Sequence, residues 1–181
     1  SRWDELGTLL PSVGTSGDAF GGAVAISAGV AIVGVPMDDG RGLDAGAVYF
    51  FQFDGSAWQL LGRATAADAH AGDQFGRAVS ISGDTAIVGA PFADLAGTDS
   101  GAAYIFQSGP SGWTQAARLT AIDAAAGDYF GAAVGLQGAT AVVGAYGDDD
   151  GGPRSGSVHV FTENGSAWTF AAKLTAPDAA P

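Results

Sequence analysis

The stretch that decides the fold runs from residue 73 to residue 106 and reads DQFGRAVSISGDTAIVGAPFADLAGTDSGAAYIF. It holds three short apolar segments, residues 78–81, 85–89 and 102–106, which are separated by a glycine-containing turn and by one longer loop. A fourth segment, residues 113–120, alternates along its length between two faces. Apolar segments this short, bounded by glycine and proline, predict β-strands rather than helices. Together, the four segments predict one unit of four antiparallel strands.

The unit recurs along the whole chain of 181 residues. Trp3, Trp58, Trp113 and Trp168 stand 55 residues apart, and the Phe-Gly pairs at 20–21, 75–76 and 130–131 keep the same step. A four-stranded sheet at such a period is typical of β-propeller blades, with a solenoid as the competing architecture. The predicted divisions are an outer strand of a preceding blade at 1–10, blade repeats at 11–65, 66–120 and 121–175, and the start of a following repeat at 176–181.

The four strands of a unit differ in pattern. The first two carry few polar residues, so we expect them to be inner strands covered on both faces. The fourth strand carries one cation in each copy, Arg63, Arg118 or Lys173. A cation on an outermost strand protects an unpaired sheet edge from aggregation, and we interpret these residues in that way rather than as a binding patch.

These motifs resemble the FG-GAP repeat of integrin α-subunit propellers and of many bacterial surface proteins. The second copy carries Phe75-Gly76, then Val88-Gly89-Ala90-Pro91, then an aromatic strand that ends at Phe106, and the first copy matches it. The third copy departs from the pattern because Tyr146 stands where the others have proline. The resemblance implies an extracellular or cell-surface propeller that serves in ligand binding and cell adhesion.

The calcium site that is common in integrin-type repeats is not expected in its usual place. In those repeats, an Asp-rich loop follows the Phe-Gly strand. Here that connection is a tight turn, at 27–29, 82–84 and 137–139, with at most one carboxylate. Calcium takes about six to eight oxygen ligands, which so short a turn cannot supply.

The composition argues against several partners and chemistries. Asp and Glu total 19 against 7 Lys and Arg, a net charge of -12, whereas nucleic-acid binding requires clustered Lys and Arg. Cysteine is absent, which removes disulfides, thiolate metal sites and cysteine nucleophiles. No apolar run in the sequence is long enough for membrane insertion.

Carboxylates gather in two sets of loops that the alternation of strand direction places on one face. One set joins the second and third strands and contains Asp38, Asp39, Asp44, Asp94, Asp99, Asp148, Asp149 and Asp150. The other set joins successive units and contains Asp68, Asp73, Asp123, Asp128 and Asp178.

Two functional interpretations of these acids stand beside a structural one. Asp39, Asp94 and Asp149 recur at the repeat spacing and are candidate ligand-binding residues. The candidate ligands for Ca²⁺ are Asp38, Asp39, Asp148, Asp149 and Asp150, since carboxylates and backbone carbonyls suit this ion. Alternatively, recurring aspartates close turns by accepting hydrogen bonds from nearby backbone amides, which is the interpretation we favour for Asp18, Asp73 and Asp128.

His70 and Tyr146 depart from the repeat and are the remaining candidate ligand-binding residues. His70 stands where the next copies have Ala125 and Ala180. His159, the other histidine, alternates with valines in a strand and is expected to be structural. Neither histidine belongs to a metal or triad pattern, so we predict that the chain is not an enzyme.

Three functions remain open at this point. The first is an extracellular binding, adhesion or structural module whose acidic face binds calcium, a cationic protein or a glycan. The second is a sugar-binding propeller that uses the loop aromatics Tyr129, Tyr146 and Phe92, and the third is an accessory domain of a larger secreted hydrolase. Because propellers have about four to eight blades, three repeats predict further blades or self-association.

Overall fold

The computed structural model describes residues 7–165 and 167–177, and these residues form β-strands without a helix. Twelve strands make three separate four-stranded antiparallel sheets, in which each strand pairs with the next along the chain. This arrangement confirms the predicted all-β class and the propeller-blade architecture. No helix among the described residues is long and apolar enough to cross a membrane.

We call the sheets blades 1, 2 and 3. Blade 1 contains β1 (Ala23–Ser27), β2 (Val30–Val35), β3 (Ala47–Phe53) and β4 (Trp58–Ala64). Blade 2 contains β5 (Ala78–Ser82), β6 (Thr85–Ala90), β7 (Ala102–Gly109) and β8 (Gly112–Leu119). Blade 3 contains β9 (Ala133–Gln137), β10 (Thr140–Ala145), β11 (Ser157–Asn164) and β12 (Ala167–Leu174).

Blade 2 lies between the other two blades, and the three do not close into a ring. The first strands are neighbours, since β5 contacts β1 on one side and β9 on the other. The fourth strands, β4, β8 and β12, form the opposite edges of the sheets. In each blade, the pairing of the third and fourth strands contains one register shift typical of a β-bulge.

Apolar side chains fill both spaces between blades. Ile32, Val48 and Phe50 of blade 1 pack with Phe75 and other residues of blade 2, and a second cluster joins blades 2 and 3. Trp113 of β8 stacks on Phe50, with ring centroids 4.3 Å apart and planes 2° apart. The recurring tryptophan thus contributes to the joint between blades 1 and 2.

The expectation that both faces of the first strand are covered holds in part. Ile81 of β5 is only 7% exposed, whereas its equivalent in β1, Ile26, is 65% exposed, as is Val24 at 68%. The difference arises because these two side chains lie on the face of blade 1 turned away from blade 2. Burial of the first strand therefore requires a blade on each side.

Two of the predicted divisions fall at the limits of the described residues. Residues 7–10 and 175–177 form no strand. The rest of the predicted outer strand at 1–10 lies outside the described residues, as do residues 178–181 with the candidate acid Asp178.

Candidate functional site

The loops between the second and third strands and the loops between blades are joined by hydrogen bonds on one side of the array, which we call the loop face. The amide of Gly72 donates to Leu43 O at 2.9 Å, and that of Gln74 donates to Asp44 O at 3.1 Å. The same pair of contacts joins blade 2 to the loop leading into blade 3, at 2.9 and 3.0 Å. The two acid-bearing sets of loops therefore lie together, as the strand directions predict.

Asp18, Asp73 and Asp128 close turns, in agreement with the structural interpretation. They are 8%, 5% and 5% exposed. Each carboxylate accepts a hydrogen bond from the amide three residues earlier, namely Thr15, His70 or Ala125, at 2.7, 2.8 and 2.7 Å. Hydrogen bonds from Thr15 lower the pKa of Asp18, whereas burial raises the pKa of Asp73 and of Asp128.

Asp39 and Asp94 make one equivalent contact. In each, Oδ1 accepts a hydrogen bond from the amide five residues later, that of Asp44 or Asp99, at 2.8 Å. Asp149 occupies the same position of the repeat in blade 3, and all three carboxylates are exposed. No ion pair among the described residues involves any of the three. The loop face thus presents, in each blade, one exposed carboxylate of this position that lies in no ion pair of the described residues.

The cations of the edge strands are paired with acids of the loop face. Arg63 binds Asp38, Arg118 Nη1 lies 2.6 Å from Asp68 Oδ2, and Lys173 Nζ lies 2.7 Å from carboxylate oxygens of Asp123, Asp148 and Asp150. These residues lie on the sheet edges, as expected, but their charged groups form ion pairs with carboxylates. Their contribution therefore extends to fixing the loops above each blade.

The choice of partner follows from substitutions within the repeat. Blade 1 has Val13 where the other blades have Asp68 and Asp123, and blade 2 has Ala93 where the others have Asp38 and Asp148. Arg63 and Arg118 therefore each pair with one aspartate, whereas Lys173 pairs with aspartates at both of these repeat positions.

Blade 3 holds the one group of three possible metal ligands found among the described residues: Asp123, Asp148 and His159. Lys173 already places a positive charge among these carboxylates. Burial by itself would raise the pKa of Asp148, but hydrogen bonds from Lys173 and from the Ser157 hydroxyl lower it on balance. The ammonium group therefore takes the role that a bound cation would have there.

The five carboxylates proposed as calcium ligands do not come together in one place. Asp38 and Asp39 lie in the β2–β3 loop of blade 1, and Asp148, Asp149 and Asp150 lie in the β10–β11 loop of blade 3. Within these sets, Asp38 is paired with Arg63, and Asp148 and Asp150 are paired with Lys173. The turns between the first and second strands are two residues long, so they do not fit the calcium loop of integrin-type repeats either.

Ser157, His159 and Asp148 contact one another but are not arranged as a catalytic triad. Ser157 Oγ donates to Asp148 Oδ2 at 2.6 Å and lies 3.1 Å from His159 Nε2. In a triad, the carboxylate binds the other nitrogen of the imidazole, whereas here Nδ1 of His159 is buried without a partner among the described residues. Burial also lowers the pKa of His159.

His70 and Asp94 lie on the same groove. His70 is exposed, and the groove of about 250 Å³ is lined by His70, Asp73, Asp94 and Leu95, with two alanines. The structure thus places two sequence candidates from different loops beside one another.

Three loop aromatics form a row in the structure. Tyr146 is 55% exposed and stacks on Tyr129, with centroids 4.8 Å apart and planes 5° apart, and Phe92 meets Tyr129 edge-on at 5.6 Å. Tyr146 and Phe92 also line a groove of about 640 Å³ beside blade 3. Tyr146, which stands where the other copies have proline, therefore adds an exposed aromatic surface to the third copy.

The repeat pattern alone does not place Ser157 and Lys173 in one cluster. Both depart from the repeat: Ser157 replaces Ala47 and Ala102, and Lys173 replaces two arginines. Departures that coincide in one copy are the signal that could have found them.

Comparisons with known proteins agree with the architecture. The model of the FG-GAP repeat family matches residues 3–51, 58–106 and 113–161. The crystal structure of Saccharomyces cerevisiae Sqt1 is similar, with a TM-score of 0.54 and 11% identity, over 88% of this chain and 37% of that one. The chain thus spans little more than a third of that protein, and no curated protein matches it in sequence. Since the family model covers most of the sequence in three consecutive repeats, the chain belongs to the FG-GAP repeat family.

Proposed function

We propose that this chain is a non-catalytic recognition module of an extracellular or cell-surface protein, which serves in adhesion by binding a basic segment of a partner protein. The binding surface is the loop face, and the contacting groups are Asp39, Asp94 and Asp149. Calcium is the alternative cation for the same carboxylates.

One observation carries the proposal: the loop face has two populations of carboxylate. Asp38, Asp68, Asp123, Asp148 and Asp150 are bound to cations of the chain itself. Asp39, Asp94 and Asp149 are exposed, recur once per blade and lie in no ion pair of the described residues. A row of unpaired carboxylates on a chain of net charge -12 attracts positively charged surfaces.

The test uses an oligolysine peptide and calcium chloride as separate probes in isothermal titration calorimetry. A triple variant, Asp39→Asn, Asp94→Asn and Asp149→Asn, removes three charges, and asparagine keeps the Oδ1 acceptor that Asp39 and Asp94 use. The matched control, Asp54→Asn, Asp84→Asn and Glu163→Gln, removes three charges at the opposite ends of the strands.

The peptide is expected to bind the triple variant about tenfold more weakly than the native chain, since each exposed charge pair contributes up to about 1 kcal/mol. The control should lose much less affinity. An equal loss in both variants would show that only net charge matters, and the proposal would be wrong. Saturable calcium binding that the triple variant alone abolishes would favour the metal alternative.

Glycan binding is a second candidate, and the aromatic row supports it. Stacked or exposed tyrosine rings are suitable platforms for the apolar faces of sugars, and Tyr146 is both stacked and 55% exposed. On a glycan array, Tyr146→Ala should abolish binding, while Leu43→Ala, a change at another exposed residue of the loop face, should preserve it. Retention of binding by Tyr146→Ala would remove this candidate.

A further inference from the structure

We infer that the outward face of blade 3 is a preformed docking site for the Phe-Gly segment of blade 1 of a second copy of this chain, so that copies associate head to tail. The chain already contains two joints of this kind, between blades 1 and 2 and between blades 2 and 3.

Both existing joints use the same contacts. The amides of Phe75 and Phe130 donate to the carbonyls of Ala45 and Ser100 in the preceding blade, at 3.0 and 3.2 Å. The glycine after each phenylalanine lies against a glycine of the second strand of that blade, Gly34 or Gly89. A Cβ atom on either of these would collide with the carbonyl oxygen of Gly76 or Gly131. The joint therefore requires a glycine in the receiving strand.

Blade 3 repeats this receiving site without an occupant among the described residues. The equivalent of Gly34 and Gly89 is Gly144, where a Cβ would meet no atom closer than Ala133 Cβ at 3.4 Å. Val158, equivalent to the fully buried Val48 and Ala103, is 38% exposed. Gly144, Ser155, Gly156 and Val158 line the groove of about 640 Å³.

The receiving loop of blade 3 already has the conformation of the occupied ones. Arg154 and Gly156 have φ angles of 54° and 72°, against 52° and 87° for Asp44 and Gly46 in blade 1. The amide of Gly156 donates to Asp148 O at 2.8 Å, as that of Gly46 donates to Asp38 O at 2.9 Å. Docking would therefore demand little ordering of this loop, which reduces the cost of association.

Blade 1 carries the complementary surface. Its Phe-Gly segment has the geometry of the docked segments, since φ is 59° at Ala19 and 89° at Gly21, against 51° at Gln74 and 94° at Gly76. Val24 and Ile26 are exposed there, while the equivalent side chains of β5 and β9 pack into the clusters between blades. The chain thus presents both halves of a joint that it forms twice internally.

Because the two halves differ, the contact is heterologous and generates a closed ring or an open chain of copies, rather than a symmetric dimer. The groove also lies next to Tyr146, so glycan binding at that ring and association of copies are expected to compete.

The test is sedimentation equilibrium of the native chain and of two blocking variants. Gly144→Ala places a methyl group where the docked glycine must lie, yet it meets only an ordinary contact in the isolated chain. Val24→Asp puts a charge on the opposite half. The controls are Gly62→Ala, at a strand position with no atom within 4 Å of a Cβ, and Ile122→Asp, at a side chain 70% exposed outside both halves.

The native chain and both controls should show a mass that increases with concentration, and each blocking variant alone should be a folded monomer by circular dichroism. A mixture of the two variants should give a dimer and nothing larger, because one intact joint remains between them. The proposal is overturned if the native chain is monomeric at all concentrations. It is also overturned if the variants associate like the native chain, or if they fail to form the mixed dimer.

Discussion

At the scale of the residue, the charged side chains of this protein do two different things. Cations on the fourth strands pair with aspartates of the loop face, and other aspartates close turns or stay exposed. The sequence predicts the turn closure of Asp18, Asp73 and Asp128, because aspartate before a glycine-rich turn has amides within reach. It does not predict the ion pairs, since these depend on which loop lies above which strand edge.

The ion pair of Lys173 is expected to contribute most to stability. Lys173→Met leaves Asp148, whose side chain is only 4% exposed, without its cation, and should lower the free energy of unfolding by about 2 kcal/mol. Arg118→Met is the matched control. Its partner Asp68 is 29% exposed and Arg118 itself 47%, so solvent screens this pair and the loss should stay below about 1 kcal/mol. Urea denaturation measures both, and equal losses would contradict this ranking.

The raised pKa of Asp128 predicts a pH dependence of opposite sign to that of a salt-bridged acid. Burial and the nearby Asp148 and Asp149 raise this pKa, so the ionised carboxylate destabilises the fold at neutral pH. Asp128→Asn should therefore increase stability at pH 7 by a fraction of a kcal/mol. Its advantage should disappear as the pH falls through the raised pKa, because the native carboxyl is then protonated as well.

Thermal unfolding measured from pH 7 down to acid pH tests the prediction, with Asp84→Asn in an exposed turn as the control. An advantage that grows towards acid pH would show that the sign is wrong. Because asparagine keeps an oxygen that can accept the hydrogen bond from the Ala125 amide, the turn itself should be preserved.

At the scale of the element, the sequence predicts the strands well. The predicted segments at 78–81, 85–89, 102–106 and 113–120 correspond to Ala78–Ser82, Thr85–Ala90, Ala102–Gly109 and Gly112–Leu119. Short apolar runs between glycines have few alternatives to a strand, which explains the agreement. The exposure of Val24 and Ile26 could not be predicted from the pattern of β1, because burial of that strand depends on a neighbouring blade.

The candidate site is less accessible to sequence reasoning. Asp39, Asp94 and Asp149 were recognisable from their spacing, and their exposure agrees with a surface role. The edge-on contact of Phe92 with Tyr129 joins loops of two successive repeats. Such contacts are decided by the packing of blades, which a single repeat does not encode.

The close backbone packing at the joint between blades predicts the effect of adding a methyl group at Gly89. Gly89→Ala should lower the free energy of unfolding by more than about 3 kcal/mol, because the new Cβ would overlap the backbone oxygen of Gly131. Gly62→Ala on β4 meets no atom within 4 Å and should change stability by less than about 1 kcal/mol. Chemical denaturation distinguishes them, and a tolerated Gly89→Ala would mean that the blades are not packed as described.

At the scale of the whole molecule, the net charge of -12 separates the two proposed interactions by their dependence on salt. Binding of a cationic peptide to the loop face should weaken as ionic strength rises, because salt screens attraction. Head-to-tail association should strengthen, since the copies repel one another and the joint itself is apolar. Titrations and sedimentation at low and high salt measure both. Peptide binding that strengthens with salt would contradict the proposed loop-face interaction, and association that weakens with salt would contradict the proposed docking of copies.

The central claim is that each blade docks onto the preceding one through the backbone of its Phe-Gly segment. Amide hydrogen exchange of the Gly144→Ala variant, followed residue by residue by NMR, tests it most directly. The amides of Phe75 and Phe130 donate across the joints and should exchange slowly, whereas that of Phe20, which has no preceding blade among the described residues, should exchange fast. Equally fast exchange at all three phenylalanines would contradict the account.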